Sequence, residues 1–151
     1  GLTALRASIG LADEQLVADG RAALAAALPM PPADLEHIVF LGHRWSVGIA
    51  QEAALKVRES AGFWTEAYSM WEYQHGPISC AGPNTLVWFL GEAPEVIVDD
   101  VRATGATSYV NDLDPQGNLP LVHRLAVELA TLRGRNPDTP PFLNRSVLVT
   151  D

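Results

Sequence analysis

Glu52, Lys56, Glu59 and His75 are the residues whose types and spacing could do acid–base chemistry in this chain. They lie in two short stretches, Glu52-Ala-Ala-Leu-Lys-Val-Arg-Glu59 and Glu72-Tyr-Gln-His-Gly-Pro77. On a helix, the first stretch brings Glu52, Lys56 and Glu59 within about 60° of one another. Ala50, Ala53, Ala54, Val57 and Ala61 cover the far side, so a polar stripe and a packing stripe separate. The stripe has two readings. It is a solvated face whose ion pairs contribute about 0.2–0.5 kcal/mol each, or it is a carboxylate base held ready by an ammonium and a second acid. His75 is either a turn residue before Gly-Pro or an imidazole suited to proton relay near neutral pH. Carboxylate, ammonium and imidazole together are the groups that proton shuttling on a sugar requires.

The elements that must position these groups are legible in outline. Residues 11–28 are rich in Ala and Leu and predict a helix that Pro31-Pro32 ends. Ile38-Val-Phe-Leu41 predicts a buried strand closed by Gly42. Ser46 is placed to cap a helix running to about Ala61, with Gly62 as its C-cap. Trp64–Tyr68 predicts a second strand, and Met70–Gln74 one or two helical turns. Thr85-Leu-Val-Trp-Phe-Leu90 is the clearest strand. Pro94 suits the first turn of a helix to about Thr104, ended by Gly105. Thr107–Val110 reads as a strand, 112–118 as a polar loop, Pro120–Arg133 as a helix ended by Gly134, and Ser146–Val149 as a last strand. Strands alternating with helices predict an α/β three-layer sandwich with a mostly parallel central sheet. Ligands of such sheets sit at the carboxyl ends of the strands. The loop after Leu41 and the turn at His75 are therefore candidate site elements.

Composition narrows the partners. The 151 residues fit one domain with its own core. A net charge of −8 argues against nucleic acid and anionic membranes, though not against a phosphorylated metabolite. The single cysteine, Cys80, permits no internal disulfide, fits a reducing cytoplasm, and reads as a small buried residue. His37, His43 and His123 show no metal-ligand spacing with His75, so no metal or cofactor is expected. No apolar run approaches the ~20 residues of a membrane span, and the start has no signal-peptide organisation. The loop Gly42-His-Arg-Trp-Ser46 could bind an anion weakly but carries no nucleotide motif. Trp88 reads as core; Trp71, close to His75, is the one tryptophan considered for a ligand or subunit contact.

Five stretches, in order, resemble the SIS (sugar isomerase) family: Phe40-Leu-Gly, Gln51–Glu59, Thr65-Glu-Ala-Tyr68, Glu72–Pro77, and the tail Asn136-Pro-Asp-Thr-Pro with Asn144-Arg-Ser-Val147. The nearest likeness is to the second SIS half of the isomerase part of glutamine–fructose-6-phosphate aminotransferase and to related sugar-phosphate isomerases and deaminases. The resemblance implies a flavodoxin- or Rossmann-like SIS fold over 31–151, with 1–30 a connecting helical segment and the chain the C-terminal half of a two-SIS protein. It implies that Glu59 moves a proton between C1 and C2, and that His75 assists ring opening, often in a neighbouring subunit's site. Lys56, within the catalytic set, and Glu52 would hold and charge-balance that base, with Glu52 and Arg145 also contacting substrate; Gly42 and Ser46, in the strand–helix loop, are the further candidate substrate contacts.

Three departures qualify this. Arg145 stands where the aminotransferase has an imine-forming lysine, and arginine remains protonated. No glutaminase domain accompanies the domain. The family's Ser/Thr-rich phosphate loop belongs to the other half. The expected function is therefore an aldose–ketose isomerase or deaminase acting on an amino-sugar phosphate, in a homodimer with shared sites. A sugar-phosphate-binding regulatory module without turnover is the alternative, and a half that only scaffolds a dimer is a third.

Overall fold

The computed structural model describes Arg6 and residues 13–140. Two apolar runs set the architecture: β1 (His37–Gly42) and β3 (Thr85–Leu90) are buried at every position. Burial on both faces is what the central strands of a parallel sheet require. β2 (Thr65–Ser69) and β4 (Thr107–Tyr109) flank them in the order β2-β1-β3-β4, parallel throughout, with Phe40 opposite both Ala67 and Trp88.

Side chains alternate between two cores. On one face Ile38, Phe40, Leu86, Trp88 and Leu90 pack against α2 (Ser46–Ala61) and α5 (Leu119–Leu132). On the other, Val39, Leu41, Val87 and Phe89 pack against α3 (Met70–Tyr73) and α4 (Glu95–Ala103). The chain leaves β1 toward β2 on one side and returns across it to β3 and β4. The crossovers therefore change face between β1 and β3, which is the switch point where such sheets bind ligands. The α/β three-layer sandwich with its parallel sheet is as the sequence predicts.

Several local details differ from expectation. The first helix, α1, runs Asp13–Ala25 and stops well before Pro31. Arg124 of α5 donates to Leu24 O at 2.6 Å and Ala26 O at 2.7 Å, satisfying carbonyls at the end of the helix from 98 residues or more away in sequence. Ser46 is the first helical residue, not the cap; Trp45 holds the N-cap position without a side-chain bond. Gly62 does end α2, at φ 58°, its N–H donating to Arg58 O at 2.9 Å. The 112–118 loop contains a 3₁₀ turn at Gln116–Asn118. Cys80 is exposed, not buried. Trp88 is fully buried, as expected. The predicted strand Ser146–Val149 lies outside the described residues.

The amino end of β1 carries a buried histidine with a pH signature. His37 stacks on Trp64 with ring centroids 4.2 Å apart, and its Nε2 lies 2.8 Å from Glu66 Oε2. Tyr68 Oη donates to the other oxygen, Oε1, at 2.8 Å. Burial pushes His37 below the ordinary histidine range, with the Glu66 carboxylate opposing it. As pH falls through about 6.5, the unfolded chain takes up this proton before the folded chain does. Stability is expected to fall with acidification there, by up to about 1.4 kcal/mol per pH unit for one unmatched proton. In urea titrations across this range, His37→Gln should flatten the slope; an unchanged slope would clear His37 of the effect.

Candidate active site

α2 starts hard against the carboxyl end of β1. This is possible because residue 42 is glycine: a Cβ there would lie 2.5 Å from Ser46 backbone atoms. The intervening loop turns tightly, with Arg44 in the left-handed region at φ 52°, a conformation uncommon for a non-glycine residue. Ser46, buried, accepts from the His43 N–H at 2.8 Å and donates to His43 O at 3.0 Å. Its hydroxyl thus braces the loop, and Gly42 is a buried spacer. Both sit at the carboxyl edge, where the sequence placed substrate contacts.

Two cavities open at this edge. One, of about 280 Å³, lies at the switch point between His43, Arg44, Ser46, Gly91, Glu92 and Pro115. The other, of about 490 Å³, lies between the first turns of α2 and α5, lined by Trp45, Gly48, Ile49, Glu52, Gln116 and Leu119. Trp45, 56% exposed, borders both.

Glu52 carries the second cavity onto the polar stripe of α2. Lys56 Nζ donates to Glu59 Oε2 at 2.9 Å and lies 3.6 Å from Glu52 Oε1. The Glu59 hydrogen bond pushes Lys56 above the ordinary lysine range; burial opposes this and the Glu52 charge adds to it. Lys56 therefore stays an ammonium. With side chains 27–44% exposed, such pairs add little to stability. Their chemical capacity is a carboxylate within reach of solvent and a fixed positive charge beside it.

The structure brings Glu52, Lys56 and Glu59 together and leaves His75 elsewhere. His75 follows α3, exposed, its N–H donating to Glu72 O at 3.0 Å. α3 packs through Met70 and Tyr73 on the face of the sheet opposite α2. Within one chain the whole sheet separates His75 from Glu59. Trp71, 47% exposed, is on the same side as His75. Arg145 lies outside the described residues.

One residue set aside at the sequence level now stands at the stripe. His123, on α5, is close enough to Glu52 and Lys56 to feel both charges. It lies 71 positions from Glu52 in sequence, and no local pattern pairs the two; only its spacing of four from Leu119 hints at a shared helix face. Among the described residues, no group of three or more His, Cys, Asp or Glu could hold a metal ion, and no helix is long and apolar enough to cross a membrane.

No family model matches the chain. A glutamine–fructose-6-phosphate aminotransferase (isomerizing) from Aeropyrum pernix is 32% identical over 67% of this chain and 21% of its own length. The crystal structure of a glucosamine-6-phosphate deaminase from Thermotoga maritima superposes with a TM-score of 0.71 at 26% identity, covering 92% of this chain and 47% of that one. This chain is a SIS domain. The C-terminal domain of the Francisella tularensis glucosamine–fructose-6-phosphate aminotransferase shares its fold, with a TM-score of 0.59 at 20% identity, over 83% of this chain and 42% of that one. The SIS domain thus resembles the isomerase part of the aminotransferase. It spans about a fifth to a quarter of most of the curated relatives it matches, and just under half of the solved structures.

Proposed function

We propose that this SIS domain binds a phosphorylated amino sugar and carries the proton-transfer groups of an isomerase or deaminase. The observation that carries the reading is the half-buried Glu52–Lys56–Glu59 ladder, with Lys56 hydrogen-bonded to Glu59 and ion-paired with Glu52, which lines a cavity of about 490 Å³. Glu59 is the base that moves a proton between neighbouring sugar carbons. Lys56 donates a hydrogen bond to it and offsets negative charge developing on the substrate, and Glu52 lies on the other side of Lys56. The likeness to a glucosamine-6-phosphate deaminase supports an amino-sugar phosphate as substrate.

His75 serves the same reaction from a second copy of the chain, because its own sheet stands between it and Glu59. A homodimer with shared sites follows, or the pairing of two SIS halves in one longer protein, with this chain the C-terminal half and 1–30 the connection. Arg145 would contact the substrate as an anion-binding group, since it cannot form an imine. The cytoplasm is the expected location, its one cysteine exposed and suited to a reducing compartment.

A second reading is a sensor that binds without turnover, favoured by the separation of His75 from the stripe. Calorimetric titration with glucosamine 6-phosphate and fructose 6-phosphate, beside proton NMR in D₂O, separates the two. Binding with exchange at C1 or C2 is expected. Binding without exchange would leave the sensor standing, and no binding of either sugar would overturn both readings.

A further inference from the structure

α5 places a histidine at the stripe that the family resemblance does not use. α2 begins at the carboxyl end of β1, and α5 begins at the same edge after β4, so the two packed helices run in the same direction. Gly48, Ile49 and Glu52 of α2 and Leu119 of α5 line the cavity of about 490 Å³ between the two helices. Four residues further along each helix, on the same faces, stand Lys56 and His123. The two packed helices thus run side by side past the cavity, and the charges of both Glu52 and Lys56 act on the His123 ring. The adjacent charge on α5, Arg124, is turned toward α1, where it holds Leu24 O and Ala26 O, with Glu128 beside it. Among the described residues, the charges that act on His123 are thus those of Glu52 and Lys56.

We propose that His123 is the imidazole acid–base group of the Glu52–Lys56–Glu59 site, moving a proton between two adjacent substrate oxygens while Glu59 moves one between the carbons that bear them. The inference rests on the sugar-phosphate reading above. For a ketose, Glu59 takes a proton from C1 and the C–H electron pair becomes the C1=C2 bond. The carbonyl oxygen on C2 collects a proton from His123, forming the enediol. The C1 hydroxyl then returns its proton to the same imidazole, while Glu59 delivers its proton to C2. An aldose results, with both side chains restored and no other reactant consumed. His123 is exposed on α5, and partial desolvation of its ring lowers it from the ordinary histidine range, with Glu52 opposing this and Lys56 reinforcing it. The ring is then neutral at neutral pH, with one N–H to give and one lone pair to accept.

Deuterium exchange at C1 of fructose 6-phosphate and at C2 of the aldose formed from it, followed by NMR from acid to alkaline pH on the purified chain in its isolated assembly, tests this. His123→Gln is expected to cut exchange by about 10²-fold or more and to alter the pH profile, with the sugar's Kd within about threefold of wild type. The histidine Cε1–H resonance missing from the variant should shift in the wild type when glucosamine 6-phosphate is added. If His123→Gln exchanges at the wild-type rate with an unchanged profile, while Glu59→Gln does not, the inference falls and the site reading survives. If the wild-type chain shows no exchange at all, both fall.

Discussion

Glu59→Gln should slow proton exchange on the bound sugar phosphate by about 10²–10⁴-fold. The amide keeps the size of the side chain and removes the one property the reaction asks of it, a lone pair basic enough to accept a carbon-bound proton. Binding should change little, because Lys56 remains beside Glu52 and a charge-neutral hydrogen-bond acceptor still faces it. Folding should change by no more than about 1 kcal/mol, since this pair is partly open to solvent. The loss therefore belongs in kcat with KM nearly kept, the pattern of an interaction made only in the transition state. Exchange rates in D₂O and calorimetric affinities on the same preparations check it. Unchanged exchange would remove Glu59 from the chemistry, whatever its surroundings.

Gly42→Ala should cost about 2–4 kcal/mol of folding stability. The added methyl would lie 2.5 Å from the Ser46 carbonyl carbon and oxygen and from Val47 N. These are backbone atoms of the first turn of α2, so no rotamer change relieves the clash. The strand side cannot yield either, because Gly42 pairs with Ser69 on β2 and Leu90 on β3. The helix must move out, which would disturb the Ser46–His43 brace and the mouths of both cavities. Gly48→Ala is the control, since a Cβ at that α2 position meets nothing within 4 Å. It should stabilise by about 0.5–1 kcal/mol. Urea midpoints at constant m-value measure both. A Gly42→Ala chain as stable as wild type would mean that α2 is not seated as closely as described.

The legible part of this protein is its local part. β3 was readable to the residue as Thr85–Leu90, because a continuous apolar run between Pro83-Asn84 and Gly91 has few other uses. α2 was readable from Ser46 to Gly62, because its period-3.6 alanines and its left-handed glycine stop are properties of adjacent residues. The acid–lysine–acid ladder follows from the same period, and Lys56 does bridge the two carboxylates. The end of α1 is not legible locally, because the carbonyls of Leu24 and Ala26 are satisfied by a guanidinium from α5. The residue type of Ser46 suits a cap, whereas its hydroxyl is engaged by the loop before it.

By itself, then, the sequence determined the α/β class, the parallel sheet and the polar stripe, each a consequence of periodicity and turn chemistry within a few residues. Only the tertiary structure decided what stands near that stripe. The crossover from β2 to β3 carries His75 to the far face, and the return after β4 lays α5 beside α2, bringing His123 within reach of the charges of Glu52 and Lys56. Both placements depend on strand order and on which face each connection crosses. Those are set by the burial of two separate cores assembled from residues far apart in the chain, and no local spacing encodes them.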